Sequence, residues 1–553
     1  MLLLVGLVAA GAWWVTREPI PLPDPAVATR TVAVLPSALQ MATPFEREAA
    51  RQMAAHLHLS TPLRLLPFDA TLATVTSKQV PVSDNDVDTA LGAFILVEVA
   101  ALPGDPRVAV MAVDDLREER LYEATFALSD MNSVAHKLAD ALKQRRQKPT
   151  AEARLSRSAL AQLWHAIGWL RNPGEGTNAM AIAALKDVIT KAPDSALAHA
   201  WLAYAYNSHG GEVFWLDSAI DEAARAQRMD PSLGLAPRQL GLAYSRKYWF
   251  SRAMAAHEQS LALGSRWVDA ELGLLYYITG RFEQSYRAYV DDQRFALGYQ
   301  WDQVAVAGVL FTVGENYAGE RTMRMVMAQE PDPMLRKLHE AEIAFYLHNF
   351  ARCSELAGSI NPETSDEFFI ASSMVQICAV EQGDFAAALM TMDATKRAYA
   401  NAHGSPNGNN PALLEAILLA RLNRNEKVPA LLKEARQSLQ AAIDSNNESP
   451  AVWLRMAAVQ RLGGEVDVAY TTLDHAFALG LTVNNRNRSD LEFLPFQGDP
   501  RFAVLRAKSE AYVAAQRKKI AVLLPAELRE PVTDQPLAGA AKPSPAAFRH
   551  HEL

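Results

Sequence analysis

The chain has 553 residues, 50% of them hydrophobic, and a formal net charge of -8 from 54 Lys and Arg against 62 Asp and Glu. Ordinary loads of 27 Gly and 30 Pro, with 8% aromatic residues, exclude a wholly disordered, collagen-like or multi-span membrane chain. The acidic balance argues against a general nucleic-acid binder, which needs clustered Lys and Arg, and two cysteines exclude a disulfide framework or a four-cysteine zinc site.

Residues 1–17 open with an uncharged apolar run, Met1 to Val15, followed by Arg17. As a helix this run spans about 22 Å, against a hydrocarbon core of about 30 Å. It reads as the back half of a transmembrane anchor whose front half lies upstream of Met1, with Trp13 and Trp14 as an interfacial belt. A cleaved signal peptide is the competing reading, with Ala10-Gly11-Ala12 as the small-residue site. Either places the rest of the chain outside the cytoplasm. Residues 18–30 hold four prolines and read as an extended linker.

Residues 31–147 carry strand and helix patterns in the order βαβαβββα. The expected strands are Thr31–Pro36, Leu63–Pro67, Phe94–Ala101, Arg107–Asp114 and Leu121–Leu128. The expected helices are Pro44–Leu57, a weak one over Val82–Leu91, and Met131–Gln144, capped by Asp130 or Asn132. Gly104-Asp105-Pro106 and the charged run Asp114 to Arg120 supply turns. This order, with VAVLP at 32–36, LRLLPFDAT at 63–71 and ALGAFILVEVA at 90–100, resembles the TolB-like (FlgO-like) α/β domain of bacterial proteins. Ser37 after Pro36, and Phe45-Glu46-Arg47-Glu48 at the helix start, depart from the family wording, so no ligand role for that loop is implied.

From 152 to 480 strand patterns vanish and Ala-rich amphipathic helices alternate with short breaks. Such helices bury their apolar faces only by stacking on neighbours. In one segment Leu240-Gly241, Tyr244, Ala253 and His257 occupy positions 8, 11, 20 and 24 of a tetratricopeptide repeat, counting Gly241 as 8. Three further segments keep most of this phase: Leu202 to Pro231, Leu272 to Tyr289 with Ser285 in place of Ala, and Pro450 to Gly480. The small residues let paired helices approach closely. Looser pairs run over 155–193, 300–330, 334–358, 366–401 and 411–444, giving eight to nine in all, with a polar loop at Ala402 to Pro411. Residues 481–525 are expected to cap the last pair, and 526–553 to be disordered.

The expected fold class is therefore an α-helical tetratricopeptide-repeat solenoid preceded by a small α/β domain and an N-terminal membrane helix. The arrangement resembles the periplasmic portion of membrane-anchored winged-helix regulators (CadC-like). Proteins labelled adenylate cyclase-like share it. Those carry a cytoplasmic DNA-binding or cyclase domain before the span; this sequence opens on the span, so neither role is implied for these residues.

The sequence offers little chemistry. There is no P-loop, Rossmann fingerprint or Gly-x-Ser-x-Gly elbow, and His257-Glu258 and His339-Glu340 lack the second histidine of a zinc helix. His56 and His58 point to different faces, and His550-His551 lies in the tail. Arg145, Arg146, Lys148 and Arg517 to Lys519 read as solvated helix ends. No catalytic residue, metal site or cofactor is expected. Cys353 and Cys378 lie on neighbouring antiparallel helices and can form a disulfide in an oxidising periplasm; two buried thiols are the alternative. Tyr204, Asn207, Arg238, Leu242, Leu274 and Tyr277 fall at groove-facing positions, although the same positions also suit contacts between neighbouring helices.

These readings give a bacterial inner-membrane protein with its bulk in the periplasm, binding a protein or peptide partner in a concave groove, without enzymatic activity or nucleic-acid binding. The alternatives are the sensory portion of a one-component transcriptional regulator whose DNA-binding domain is missing, and an enzyme with a pocket in the α/β domain.

Overall fold

The structure, a computed structural model, describes residues 31–36, 43–59, 63–76, 95–101, 107–114, 116–147, 155–171, 176–208, 213–265, 268–293, 300–330, 332–360, 368–392, 411–485 and 491–529. The anchor or signal segment, the Pro-rich linker, the helix expected at 82–91, the loop at 402–410, His550-His551 and the tail from 530 lie outside them. Among the described residues no helix is long and apolar enough to cross a membrane.

Five strands form one sheet in the order β2-β1-β3-β4-β5. They are β1 (Thr31–Pro36), β2 (Arg64–Leu65), β3 (Ile95–Ala101), β4 (Arg107–Asp114) and β5 (Glu119–Ala127). Strand β1 runs parallel to β2 and β3 and is buried along its whole length, which is why TVAVLP is a continuous apolar run instead of an alternating one. Strands β3, β4 and β5 continue antiparallel. Helices α1 (Pro44–His56) and α3 (Met131–Gln147) cover one face. There Met53, Leu138 and Leu142 pack with Val34, Val97, Val99 and Val110. Thr43 starts α1 through a reciprocal cap: its hydroxyl accepts from the Glu46 amide, and its own amide donates to Glu46 Oε2 at 2.7 Å. Helix α2 (Phe68–Thr76) was not expected. Thr71, Thr74, Val75 and Thr76 are β-branched and weaken any helical signal, and the strand expected over Leu63–Pro67 shortens to two residues.

Among the described residues that follow, helices succeed one another in antiparallel pairs. The first three are α4 (Arg157–Arg171) with α5 (Thr177–Lys191), α6 (Ala196–Asn207) with α7 (Val213–Met229), and α8 (Leu235–Arg246) with α9 (Phe250–Ala262). The next three are α10 (Val268–Ile278) with α11 (Phe282–Gln293), α12 (Gln300–Val313) with α13 (Asn316–Gln329), and α14 (Pro333–Tyr346) with α15 (Phe350–Gly358). The last are α16 (Phe368–Glu381) with α17 (Phe385–Met390), α18 (Pro411–Arg421) with α19 (Val428–Asp444), and α20 (Pro450–Leu462) with α21 (Val466–Ala478). The close approach within pairs is visible at single residues. A Cβ on Gly241 would stand 2.5 Å from the His257 ring, and one on Gly273 would stand 2.9 Å from Tyr289. Ser285, where the repeat prefers Ala, is fully buried and its hydroxyl donates to the Gly273 carbonyl at 2.8 Å. In the fifth pair the roles reverse: Gly319 of the second helix receives the Phe311 ring of the first.

The segment after α21 does more than cover the last pair. Phe493, Phe496 and Phe502 do pack into the core of the last pairs. The long helix α22 (Pro500–Leu523) then returns to the middle of the solenoid. Its Val513 and Ile520, with Leu524 and Leu528 beyond, join Phe282, Tyr286, Leu310 and Val313 of the fourth and fifth pairs. The expectation of a terminal cap alone is thus corrected. Turns of early pairs meet the late ones along the same seam. The Glu448 amide donates to the Tyr248 carbonyl at 2.8 Å and Trp249 Nε1 to the Ser445 carbonyl at 2.9 Å. Asn485 donates from its side chain to the Phe311 carbonyl at 3.0 Å. The third to ninth pairs therefore close into a ring.

Candidate partner-binding face

The turn between β4 and β5 reaches out of the α/β domain onto the first helices of the early pairs. Leu116 enters the buried cluster containing Trp164, Ile167 and Trp201, and its carbonyl accepts a hydrogen bond from Trp201 Nε1 at 3.1 Å. Arg117 Nη2 pairs with Asp230 Oδ2 at 2.9 Å. Glu118 is shared by two guanidinium groups, Arg238 Nη1 at 2.5 Å and Arg171 Nη2 at 3.6 Å. The Arg120 side chain pairs with Asp269, and its amide donates to the Gly264 carbonyl at 2.6 Å. Arg238 also holds Glu271 through Nη2 at 2.8 Å, and Glu271 lies 3.2 Å from His257 Nδ1. Carboxylates and cations thus alternate through a site that is largely closed to water.

The electrostatics follow from that alternation. Burial opposes the charge on Arg238, but the carboxylates of Glu271 and Glu118 outweigh it and raise its pKa. Burial, and then the Glu118 charge, push the Tyr204 phenol up. Burial pushes His257 down, while Glu271 works the other way. At Asp230 burial favours the neutral acid, yet hydrogen bonds from Ser232 and Arg117 hold the carboxyl below its ordinary value.

The six groove positions expected from the repeat phase divide. Arg238 is engaged by this chain's own turn, so it is not open to a partner in this state. Tyr204 packs on Trp201, ring centres 5.2 Å apart, within the same charged site. Asn207 is buried and braces the next pair, donating to the Gln239 carbonyl at 3.0 Å. Tyr277 shares a hydrogen bond of 2.9 Å with Thr312 two helices on. Leu242 is half-buried, and Leu274 is 52% exposed. For Asn207 and Tyr277 the contact between neighbouring helices is the one observed; Leu274 remains presented to solvent. The residues that sequence reasoning passed over are Leu116, Arg117 and Glu118. The charged run Asp114 to Arg120 reads as a turn, and it is one, but these three residues are buried.

Other candidate chemistry stays dispersed. Among the described residues no group of three or more His, Cys, Asp and Glu side chains could hold a metal ion, and His56 and His58 are both exposed. A recess of about 260 Å³ lies on the ring seam between Thr312, Asn485, Arg506 and Arg517. Its cations are committed, Arg506 to Glu510 at 2.7 Å and Arg517 to Glu315 at 2.8 Å.

Cys353 of α15 and Cys378 of α16 are both fully buried, with Cα atoms 6.7 Å apart, and are joined as a disulfide. The bond ties the sixth pair to the seventh. A sequence separation of 25 corresponds to about 3 kcal/mol of loop-closure stabilisation. Thiol titration of the denatured, unreduced protein is expected to find no free thiol. Reduction is expected to lower stability by about 3 kcal/mol, read by denaturant titration with and without reductant. Two titratable thiols in protein kept under oxidising conditions would refute the bridge.

No family model matches the chain, and no curated protein matches it. Among solved structures it is similar to a thermophilic tetratricopeptide-repeat protein of Thermus thermophilus, 22% identical over 32% of this chain and 90% of that one, with a TM-score of 0.25. It is also similar to a human IFIT1 dimer in complex with m7Gppp-AAAA, 12% identical over 64% of this chain and 78% of that one, with a TM-score of 0.31. Neither score reaches 0.5, and the assignment to helix-pair repeats rests on the packing described above.

Proposed function

We propose that this chain is a non-enzymatic scaffold of the tetratricopeptide type whose early helix pairs hold a protein or peptide partner. The observation that carries the reading is the docked β4–β5 turn: this face already binds a short protein segment through an apolar anchor, a backbone hydrogen bond and ion pairs. Those are the means by which repeat solenoids recognise peptides. Leu274, on the first helix of the next pair, extends the same face into solvent. The TolB-like assignment of residues 31–147 draws support from the parallel β2-β1-β3 core followed by an antiparallel hairpin. The membrane-tethered, periplasm-facing placement draws support from the uncharged run Met1 to Val15 and from the buried Cys353–Cys378 disulfide, which suits an oxidising compartment.

A photo-crosslinking side chain at position 274 tests the reading. It is expected to trap one discrete partner in cells, and Leu274→Glu is expected to abolish co-purification of that partner. The same crosslinker at the exposed Met180, on a second helix, is expected to trap none. Equal labelling at both positions would sink the scaffold proposal.

A further inference from the structure

The α/β domain meets the first pairs through very little apolar surface. Among the described residues Leu116 is the single α/β side chain in the large buried cluster of those pairs. The rest of the contact is ion pairs and backbone hydrogen bonds, such as that from the Arg120 amide to the Gly264 carbonyl, and Asp230 and Glu271 keep part of their side chains in water. Each unit has its own buried cluster, and Leu116 is the α/β side chain that enters the helical one. The turn is also strained: Glu118 sits at φ 51°, a left-handed conformation that non-glycine residues seldom adopt. A largely polar contact with one apolar anchor and a strained tip can be exchanged.

We infer that the face formed by Arg171, Trp201, Asp230 and Arg238 is a recognition site for a surface turn of a partner protein. That turn carries an apolar residue followed by an arginine and a glutamate, and the chain's own β4–β5 turn is its resident competitor. The inference deepens the scaffold reading and rests on it. The chemistry of the occupant is fixed by the four contacts. The apolar side chain fills the cleft beside Trp164 and Trp201, and the carbonyl behind it accepts from Trp201 Nε1. The guanidinium meets Asp230, and the carboxylate is clamped between Arg171 and Arg238. A carboxylate placed between two guanidinium groups favours Glu or Asp over any neutral side chain. Tethering gives the resident turn an effective concentration in the millimolar range, so an incoming turn binds the resting chain poorly.

The test uses the full chain and a fluorescent, backbone-cyclised peptide of residues Val113–Leu121. In one variant the resident turn is emptied by Leu116→Ala, Arg117→Ala and Glu118→Gly; glycine keeps the left-handed backbone. The emptied chain is expected to bind the peptide at least about tenfold more tightly than the intact chain. Binding is expected to weaken by at least about fivefold when the peptide carries Glu118→Gln or the emptied chain carries Arg171→Gln. Equal affinity for intact and emptied chains, or no binding by an emptied chain with unchanged far-UV helicity, would overturn the inference. Peptide binding without a partner trapped at position 274 would leave this site standing and remove the extended groove; the reverse result would do the opposite.

Discussion

Replacing Arg238 with methionine is expected to lower the stability of the chain by about 3–5 kcal/mol, whereas Glu118→Gln is expected to cost about 1–3 kcal/mol. The asymmetry comes from what each change strands. Among the described residues Arg238 is the one cation bonded to both Glu118 and Glu271; it is buried with Glu118, and Glu271 is half-buried. Without it two carboxylates share a site largely closed to water, with Arg171 as far as 3.6 Å from one of them and His257, whose charge burial opposes, beside the other. Losing one partner of a buried pair leaves an uncompensated charge, which is the costly case. Losing the charge of Glu118 instead leaves Arg238 paired with Glu271. Urea titrations of the two variants check the ordering, with tryptophan emission as the probe because Trp201 borders the site. Similar losses for the two, or a loss below about 1 kcal/mol for Arg238→Met, would mean that water or repacking satisfies the carboxylates and that Arg238 is no hub.

The contrast between what the sequence discloses and what it hides follows the range of each interaction. Contacts inside one helix pair join residues about 16 positions apart in a fixed phase, so Gly241 with His257 and Gly273 with Tyr289 leave a spacing that repeats along the chain. The buried strand β1 is legible for a similar reason, since its apolar run is local. The charged site is different. Glu118 and Arg238 are 120 residues apart, and neither stands in a pattern that names the other. Seven residues from Asp114 to Arg120 contain six charges, which by composition is a solvated turn. Only Leu116, an apolar residue inside that run, hints that the tip is inserted. Arg238 was placed on the groove face by repeat phase, yet its phase could not say that the groove's first occupant is another part of the same chain.

The ring makes the same point and has a functional consequence. An open solenoid offers its first-helix face along its whole length. Here the turns of the third, fourth and fifth pairs are held by the last pair and α22. The charged site overlaps the ring, because Arg238 and His257 belong to the third pair and Asp269 and Glu271 to the fourth. The α/β domain and the closed portion are thus two neighbours of the third pair, which contributes Arg238 to one contact and Tyr248 and Trp249 to the other.

Gly480→Ala is expected to open that ring. Gly480 ends α21 at φ 104°, outside the range that residues with a Cβ tolerate, and an added methyl would overlap the Thr279 carbonyl. The facing turn is equally tight, since a Cβ on Gly280 would stand 2.6 Å from the Gly480 carbonyl oxygen. Backbone strain costs about 1–3 kcal/mol and forced overpacking a similar amount. Neither can be relieved by rotating a side chain, because the obstacle is backbone. The cheapest relief is to separate the two turns, which releases the Trp249–Ser445 and Asn485–Phe311 hydrogen bonds nearby. Amide exchange over Ile520–Leu524 and Phe282–Tyr286 is therefore expected to accelerate by at least about tenfold, with the helix content retained because each pair keeps its own core. Small-angle scattering is expected to show a larger radius of gyration. Gly383→Ala supplies the control: it has a positive φ of 75° but nothing within 4 Å of its added Cβ, so it carries strain without obstruction. Its expected cost is about 1–2 kcal/mol, with seam exchange unchanged. Were the two substitutions to alter exchange at the seam equally, closure through Gly280 and Gly480 would be refuted, and the return of α22 alone would have to hold the ring.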